Sequence, residues 1–215
     1  MTHDATLQHD VEQALLSDSS LHAEQIGVSA REGVVELDGT VNSYSEKYIS
    51  GNIALRVVGV SSVANEIRVA LLPADVQSDV DLARIAISHL QWNYSVPDTV
   101  KVSVSDGWVK FEGTVEAKYQ MDEAENVLRS LKGLKGISNE IVIKPNVEIT
   151  VVKAKIVDAF KRNAGLDANS IEIEVDNGTV TLKGQVGSWA EREEACRVTW
   201  SSPGVTHVED RLSIR

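Results

Sequence analysis

The chain has 215 residues, 42% hydrophobic and 25% charged, the balance of an ordinary globular protein and not of a largely disordered or fibrous one. Its 21 Lys and Arg against 32 Asp and Glu leave a formal charge of −11, which argues against binding nucleic acid through general electrostatics. A single cysteine, Cys196, excludes an intramolecular disulfide and a cysteine-rich zinc site, and no apolar run approaches the ~18 residues that would span a bilayer.

Leu7, Val11, Ala14 and Leu15 make the apolar stripe of a first helix. Ile26, Val28 and Ala30 then alternate with other residues, the period of a half-buried strand. A turn at Arg31-Glu32-Gly33 leads into a second strand that buries Val35 and Leu37. A second helix begins near Ser43, where Glu46 completes a capping box. Small Ser50 and apolar Ile53 should lie on the sheet, Gly59 should end the helix, and Val63, Ile67 and Val69 belong to a third strand.

The same series runs twice more. Leu82, Ile85, Ala86 and Leu90 stripe the next helix, then come Val100, Val102 and Val104, a turn at Asp106-Gly107, and Val109 with Phe111. The following helix starts near Ala117 without a cap serine, carries Ala124 and Val127, and stops at Gly133 before Ile137, Ile141 and Ile143. The last series reads Ile149, Val152, Ile156 and Phe160; Ile171, Ile173 and Val175; Asn177-Gly178; Val180 and Leu182. Ser188 with Glu191 caps its second helix, Ala195 and Val198 face the sheet, and Pro203-Gly204 stops it before Val208, Leu212 and Ile214.

This is an internal repeat. Gly33–Val41 returns as Gly107–Val115 and Gly178–Val186, with Gly33 and Gly39, Gly107 and Gly113, Gly178 and Gly184 each six apart. Gly59, Gly133 and Gly204 follow twenty later, and the copies are spaced by 74 and then 71 residues. The pattern predicts an α+β chain of three tandem αββαβ units, each a two-layer sandwich with two helices on one face of a three-stranded sheet. The hairpin is antiparallel; the third strand arrives by a helical crossover and should lie parallel to a neighbour, making the sheet mixed. Expected domains are 1–72, 76–145 and 147–215, joined by linkers at 72–78 and 144–146, the second too short for much independent motion. Units of about 70 residues are small for lone domains, so contacts between repeats are expected.

The helix, the Gly-x-Val-x-Leu-x-Gly-x-Val hairpin, the capped helix and the Gly-Val-x-x-Val-x-Asn before the last strand resemble the BON (bacterial OsmY and nodulation) domain. The resemblance covers nearly the whole chain. It rests on Gly33, Gly39, Gly59 and Asn65, then Gly107, Gly113, Gly133 and Asn139, then Gly178, Gly184 and Gly204, with Asp210 where an asparagine is expected. It implies a non-enzymatic, transport-associated module of bacterial envelope and stress-response proteins that binds phospholipid or other macromolecules. Many members are secreted or lipid-anchored. The polar start Met1-Thr2-His3-Asp4 reads as neither signal peptide nor lipobox, so the expectation is cytoplasmic, or periplasmic if a signal has been removed.

No catalytic, metal or cofactor site emerges. His3, His9, His22, His89 and His207 lack metal-site spacing, and His207 with Glu209 and Asp210 reads first as an exposed polar turn before the last strand. His89 reads as a helix-end or partly buried residue. Cys196 reads as a partly buried structural thiol. The glycines flank a strand instead of opening a helix and no Gly-Lys-Ser/Thr follows, so they serve hairpins and not phosphate.

Candidate contact residues are few. The charge is −6 over residues 1–72, −3 over 73–145 and −2 over 146–215, so a basic patch belongs in the later units. Lys155 and Arg162 share a helix flank; they are an exposed face first and a lipid-headgroup contact second. Arg129, Lys132 and Lys135 crowd a helix C-terminus, where the dipole favours cations. Trp108 should lie on the outer sheet face, packing first against a neighbouring unit and second against an external partner. Trp92 and Tyr94 should plug a helix end. The expected function is a binding or scaffolding protein with a protein or lipid partner; a peripheral binder of anionic phospholipid is the alternative, opposed by the net charge, and an enzyme a distant third. Exposed edge strands leave homo-oligomers open.

Overall fold

The computed structural model describes residues 3–144, 152–163, 166, 170–176 and 178–214. The first repeat contains α1 (His3–Leu16), β1 (Ile26–Arg31), β2 (Val34–Val41), α2 (Tyr44–Arg56), β3 (Ser62–Asn65) and β4 (Arg68–Val69). The second contains α3 (Asp79–Trp92), β5 (Lys101–Ser105), β6 (Trp108–Val115), α4 (Lys118–Arg129) and β7 (Gly136–Ile143). The third contains α5 (Val152–Arg162), β8 (Ile171–Asp176), β9 (Thr179–Val186), α6 (Trp189–Trp200) and β10 (His207–Ile214). The linker at 144–146 and Ile149 fall almost wholly outside the described residues, as does Asn177.

The backbone groups into two compact units. One comprises Met1–Trp92, Val102–Phe111 and Asn126–Asn139; the other comprises Asn93–Lys101, Glu112–Glu125 and Glu140–Arg215. The middle repeat contributes segments to both.

Each sheet is mixed about a central strand where its register is defined. β1 runs antiparallel to β2, from Ile26 opposite Gly39 to Arg31 opposite Val34, and β3 runs parallel, from Val34 opposite Ser62 to Leu37 opposite Asn65. β8 and β10 flank β9 in the same senses. The middle sheet has the order β5-β6-β7. The first sheet departs from the three-stranded expectation: its third strand breaks after Asn65 and resumes as β4, so four strands pair there, while β10 stays paired through eight residues.

The central strands carry the core. Val35 and Leu37, Val109 and Phe111, and Val180 and Leu182 are all fully buried. Each such side chain contributes about 1.5–3 kcal/mol by leaving water. In the first repeat Leu7, Val11 and Leu15 of α1 close over them with Ala54, Val60 and Ile67. In the third, Ile156 and Phe160 of α5 do so with Val198, Val205 and Leu212.

The second helices are capped largely as their sequences indicate. Ser43 Oγ accepts from Glu46 N at 3.2 Å, and Ser188 Oγ accepts from Glu191 N at 3.2 Å. α4 lacks the cap serine, but Gln120 Oε1 accepts from Glu116 N at 2.8 Å and Ala117 N at 3.2 Å, so the reciprocal half of the box is kept. The small positions Ser50, Ala124 and Ala195 are fully buried. The apolar stripe is shifted one residue from the expected Ile53 and Val127, which are half-buried; Ala54 and Leu128 are the residues pressed on the sheet. The helices also stop three or four residues before Gly59, Gly133 and Gly204. Those glycines, at φ of 95°, 89° and 92°, turn the chain into the third strand and do not end the helix.

Gly39 lies at the tightest point. Its φ is 105°, and a Cβ there would run into the carbonyl of Gln25, just before β1. Gly39→Ala should therefore cost about 2–4 kcal/mol, from left-handed strain plus overlap with backbone that cannot yield. Gly27→Ala meets only the movable carboxylate of exposed Asp38 and should cost under about 1 kcal/mol. Urea unfolding followed by circular dichroism compares the two.

Candidate functional site

The motif glycines meet in pairs. A Cβ on Gly33 would touch the carbonyl oxygen of Gly59 at 3.3 Å; Gly107 stands so to Gly133 at 3.2 Å and Gly178 to Gly204 at 3.1 Å. The Gly33 carbonyl accepts from Ser61 N at 2.8 Å, Gly107 from Lys135 N at 2.8 Å, and Gly178 from Thr206 N at 2.9 Å. The glycines thus clasp the hairpin turn to the start of the third strand. Among the described residues, the non-glycine residues Glu32 and Asp106 of these turns have positive φ, 51° and 52°. An acid from the first helix braces each: Asp4 Oδ1 accepts from Glu32 N at 3.0 Å, and Asp79 accepts from Asp106 N and Gly107 N at 2.9 Å. Sequence reading missed this brace, whose one signal is an acid opening each of the two helices.

The motif asparagine is also structural. Asn65 Nδ2 donates to the Lys47 carbonyl of α2 at 2.8 Å, and its Oδ1 accepts from Ile67 N at 3.3 Å. Asp210 takes this position in the third repeat: Oδ1 accepts from Leu212 N at 3.0 Å, and Oδ2 pairs with Arg192 at 2.6 Å. Arg192 stands four residues after the cap serine, as Lys47 does, so the same helix position is bridged by a side chain instead of a carbonyl. Arg192 also stacks on Trp189, 4.9 Å from the ring centre. Cys196 lies beside this group, half-buried; burial first, then the nearby Asp210 carboxylate, pushes its thiol up to about 12.

The histidines converge on no such group. Among the described residues no three His, Cys, Asp or Glu side chains are placed to hold a metal ion. His207, Glu209 and Asp210 lie within β10 and not in a turn: Glu209 binds Arg211 at 2.8 Å and Asp210 binds Arg192. His89 is exposed in the last turn of α3. His22, read from sequence only as lacking metal-site spacing, brings Nδ1 within 3.2 Å of the buried Glu46 carboxylate, which also accepts from the cap Ser43 Oγ.

Trp108 lies on the outer sheet face, 52% exposed, with its ring covering Gly136 of β7. Trp92 and Tyr94 do not plug the helix end; they are 87% and 100% exposed, and Val96 is the residue that turns inward. Along α3, Val80 and Ile87 share an exposed flank. Lys155 and Arg162 are exposed on α5. In the other basic cluster Lys132 pairs with Asp75 of the preceding linker at 3.1 Å. Arg129 lies over the Tyr48 ring of the first repeat, 3.5 Å from its centre. Lys118, ion-paired to Asp122, lies 5.8 Å from the ring centre of Trp200 in the third repeat. No helix among the described residues is long and apolar enough to cross a membrane.

The BON domain family model matches residues 3–70, 78–145 and 149–215. The chain is 26% identical over 146 residues to the osmotically-inducible protein Y of Escherichia coli (strain K12), spanning 66% of this chain and 73% of that one. Among solved structures it is similar to CdsD, a structural protein of the type III secretion system of Chlamydia trachomatis, at 16% identity and a TM-score of 0.27, covering 98% of this chain and 92% of that one. The PrgH periplasmic domain follows at 10% identity and a TM-score of 0.24, covering 94% and 98%. Likenesses at these scores carry no argument about arrangement or function.

With its thiol pushed up to about 12, Cys196 should react with a disulfide reagent at pH 8 about tenfold to a hundredfold more slowly in the folded protein than in urea, since the smaller thiolate fraction is partly offset by the greater nucleophilicity of a more basic thiolate. Asp210→Asn removes two causes of the raised value and should speed labelling of the folded protein. Folding favours the protonated thiol, so this contribution to stability is complete below the free thiol's pKa and lost as pH rises towards 12. Labelling kinetics against pH read the reactivity, and urea unfolding at rising alkaline pH reads the stability.

Proposed function

The chain belongs to the BON domain family, and we propose that it is a non-enzymatic binding or scaffolding protein linked to osmotic stress or envelope maintenance, with a protein as its first partner. The observation that carries this is α3, which leaves Val80 at 67%, Ile87 at 45% and Trp92 at 87% exposed. A large aromatic side chain left in water gains most when a partner surface covers it, and the Val80 and Ile87 flank offers apolar surface elsewhere around the same helix. The osmotic induction named for the Escherichia coli relative supports the stress link. The non-enzymatic reading is supported by what the motif residues do: Ser43, Ser188, Asn65 and Asp210 are engaged in caps and braces. A turnover abolished by replacing one polar residue would sink it.

A second reading, an anionic phospholipid contact, is favoured by Lys155 and Arg162, both exposed on α5. The formal charge of −11 opposes it, since an anionic surface repels an acidic protein.

Vesicle co-sedimentation separates the two. At physiological salt the protein should stay in the supernatant with phosphatidylcholine vesicles and with vesicles that also contain phosphatidylglycerol. A photo-crosslinking residue at position 92 should form a discrete protein adduct in the host cell, and the Lys155→Glu, Arg162→Glu double variant should leave it intact. Pelleting with the anionic vesicles alone, lost in that double variant, would install the lipid reading instead.

A further inference from the structure

The two aromatic–cation contacts between successive repeats use the same helix position. Arg129 is the last residue of α4; the repeat spacings of 74 and 71 make Leu55 of α2 and Trp200 of α6 its counterparts. Arg129 sits 3.5 Å from the ring centre of Tyr48, on α2 of the repeat before it. Trp200 sits 5.8 Å from Lys118, on α4 of the repeat before it. The acceptor positions differ by one helical turn, since Tyr48 matches Asp122, the ion-pair partner of Lys118. The last turn of one repeat's second helix therefore meets the opening turns of the previous repeat's second helix at both junctions. Cation and ring exchange sides between the two, which a cation–ring attraction tolerates because it needs only a cation over a ring face.

A contact from the tail of one element to the head of the one before it is heterologous and leaves an unmatched surface at each end of the series. At one end is the last turn of α2, with Leu55 half-buried, Arg56 exposed and Val58 88% exposed just beyond it. At the other are the opening turns of α6, where half-buried Trp189, stacked on one side by Arg192, and exposed Glu193 stand at the positions of Lys118 and Asp122. These ends are chemically complementary. Leu55 and Val58 offer apolar surface to the Trp189 ring, and Arg56 offers a cation to the Glu193 carboxylate. We infer that they form a head-to-tail interface between copies of this chain, the end of α2 of one copy resting on the start of α6 of another. The occupant is a second copy because the interface continues the one that this chain already uses twice. Such an association closes as a ring or runs on as a filament.

Sedimentation velocity on the full chain from about 10 μM to about 1 mM, the range in which small interfaces associate, tests it. The weight-average sedimentation coefficient should rise with concentration. Val58→Glu and Glu193→Arg lie on opposite ends and are both exposed; each should lower the association constant at least about tenfold with an unchanged circular dichroism spectrum. Mixing the two variants should restore association, because each retains the end that the other lacks. A wild type that stays monomeric throughout, variants that associate like the wild type, or a mixture no better than its components would each overturn the proposal; the last result is that of a symmetric or unrelated contact.

Discussion

The constraint on which the rest depends is the close approach of the central strand to the residue preceding the edge strand of its hairpin. Gly39, Gly113 and Gly184 have φ of 105°, 132° and 127°, and a Cβ on any of them would strike the carbonyl before the first strand: Gln25, Thr99 and Ser170. Only glycine occupies that geometry without strain. Fixing this point fixes the register in the first and third repeats, because Gly39 stands opposite Ile26 and Gly184 opposite Ile171, the first residues of β1 and β8. Register decides which side chains face inwards, since a slip of one residue would turn Val35 and Leu37 out to water and Glu36 in. The second glycine pair, Gly33 with Gly59 and its counterparts, then ties the same hairpin to the third strand.

Once backbone clasps hold the fold, the polar residues are left to secure joints between layers. Asn65 and Asp210 show two solutions to one problem. The asparagine bridges strand to helix through a backbone carbonyl; the aspartate does so through Arg192, placed on the same helix position. The charged version brings a carboxylate next to Cys196, and the raised thiol pKa is its by-product. The exits of the first helices show similar economy: Asn93 reaches Glu123 at 2.8 Å and Asn163 reaches Glu194 at 2.5 Å. Glu123 and Glu194 are equivalent positions, and Arg197 with Asn163 holds the Glu194 carboxyl down at about 2.

Much of this fold is legible in the sequence because it is written three times. Period-two strands, helical stripes and glycine spacing each recur in register, so local ambiguity in one copy is resolved by the others. The αββαβ order, the mixed sheet and two of the three caps follow from that. What escaped reading depends on geometry between elements distant in the chain. The brace from Asp4 to Glu32 spans 28 residues and leaves no periodic trace. The buried stripe moves one position along the helix, from Ile53 to Ala54 and likewise from Val127 to Leu128, a rotation of the helix on its sheet that hydrophobicity alone does not specify. Trp92 and Tyr94 were misplaced for the opposite reason: aromatic residues usually find cover, and Val96 took the inward position instead.

The candidate surfaces were least legible because repetition conceals them. A repeat advertises what its copies share, whereas contacts with partners sit where copies differ. Val34, Trp108 and Thr179 occupy one outer-face position, and only the tryptophan covers a glycine on the neighbouring strand. Leu55, Arg129 and Trp200 occupy another; Arg129 lies over the Tyr48 ring, whereas the Trp200 ring meets Lys118 one helical turn earlier on the facing helix. At each of these two joints a cation finds a ring, whichever side supplies it. Identical repeats would make every junction the same. The pairs differ between the first and second junctions, while the glycine clasps that build each repeat remain the same.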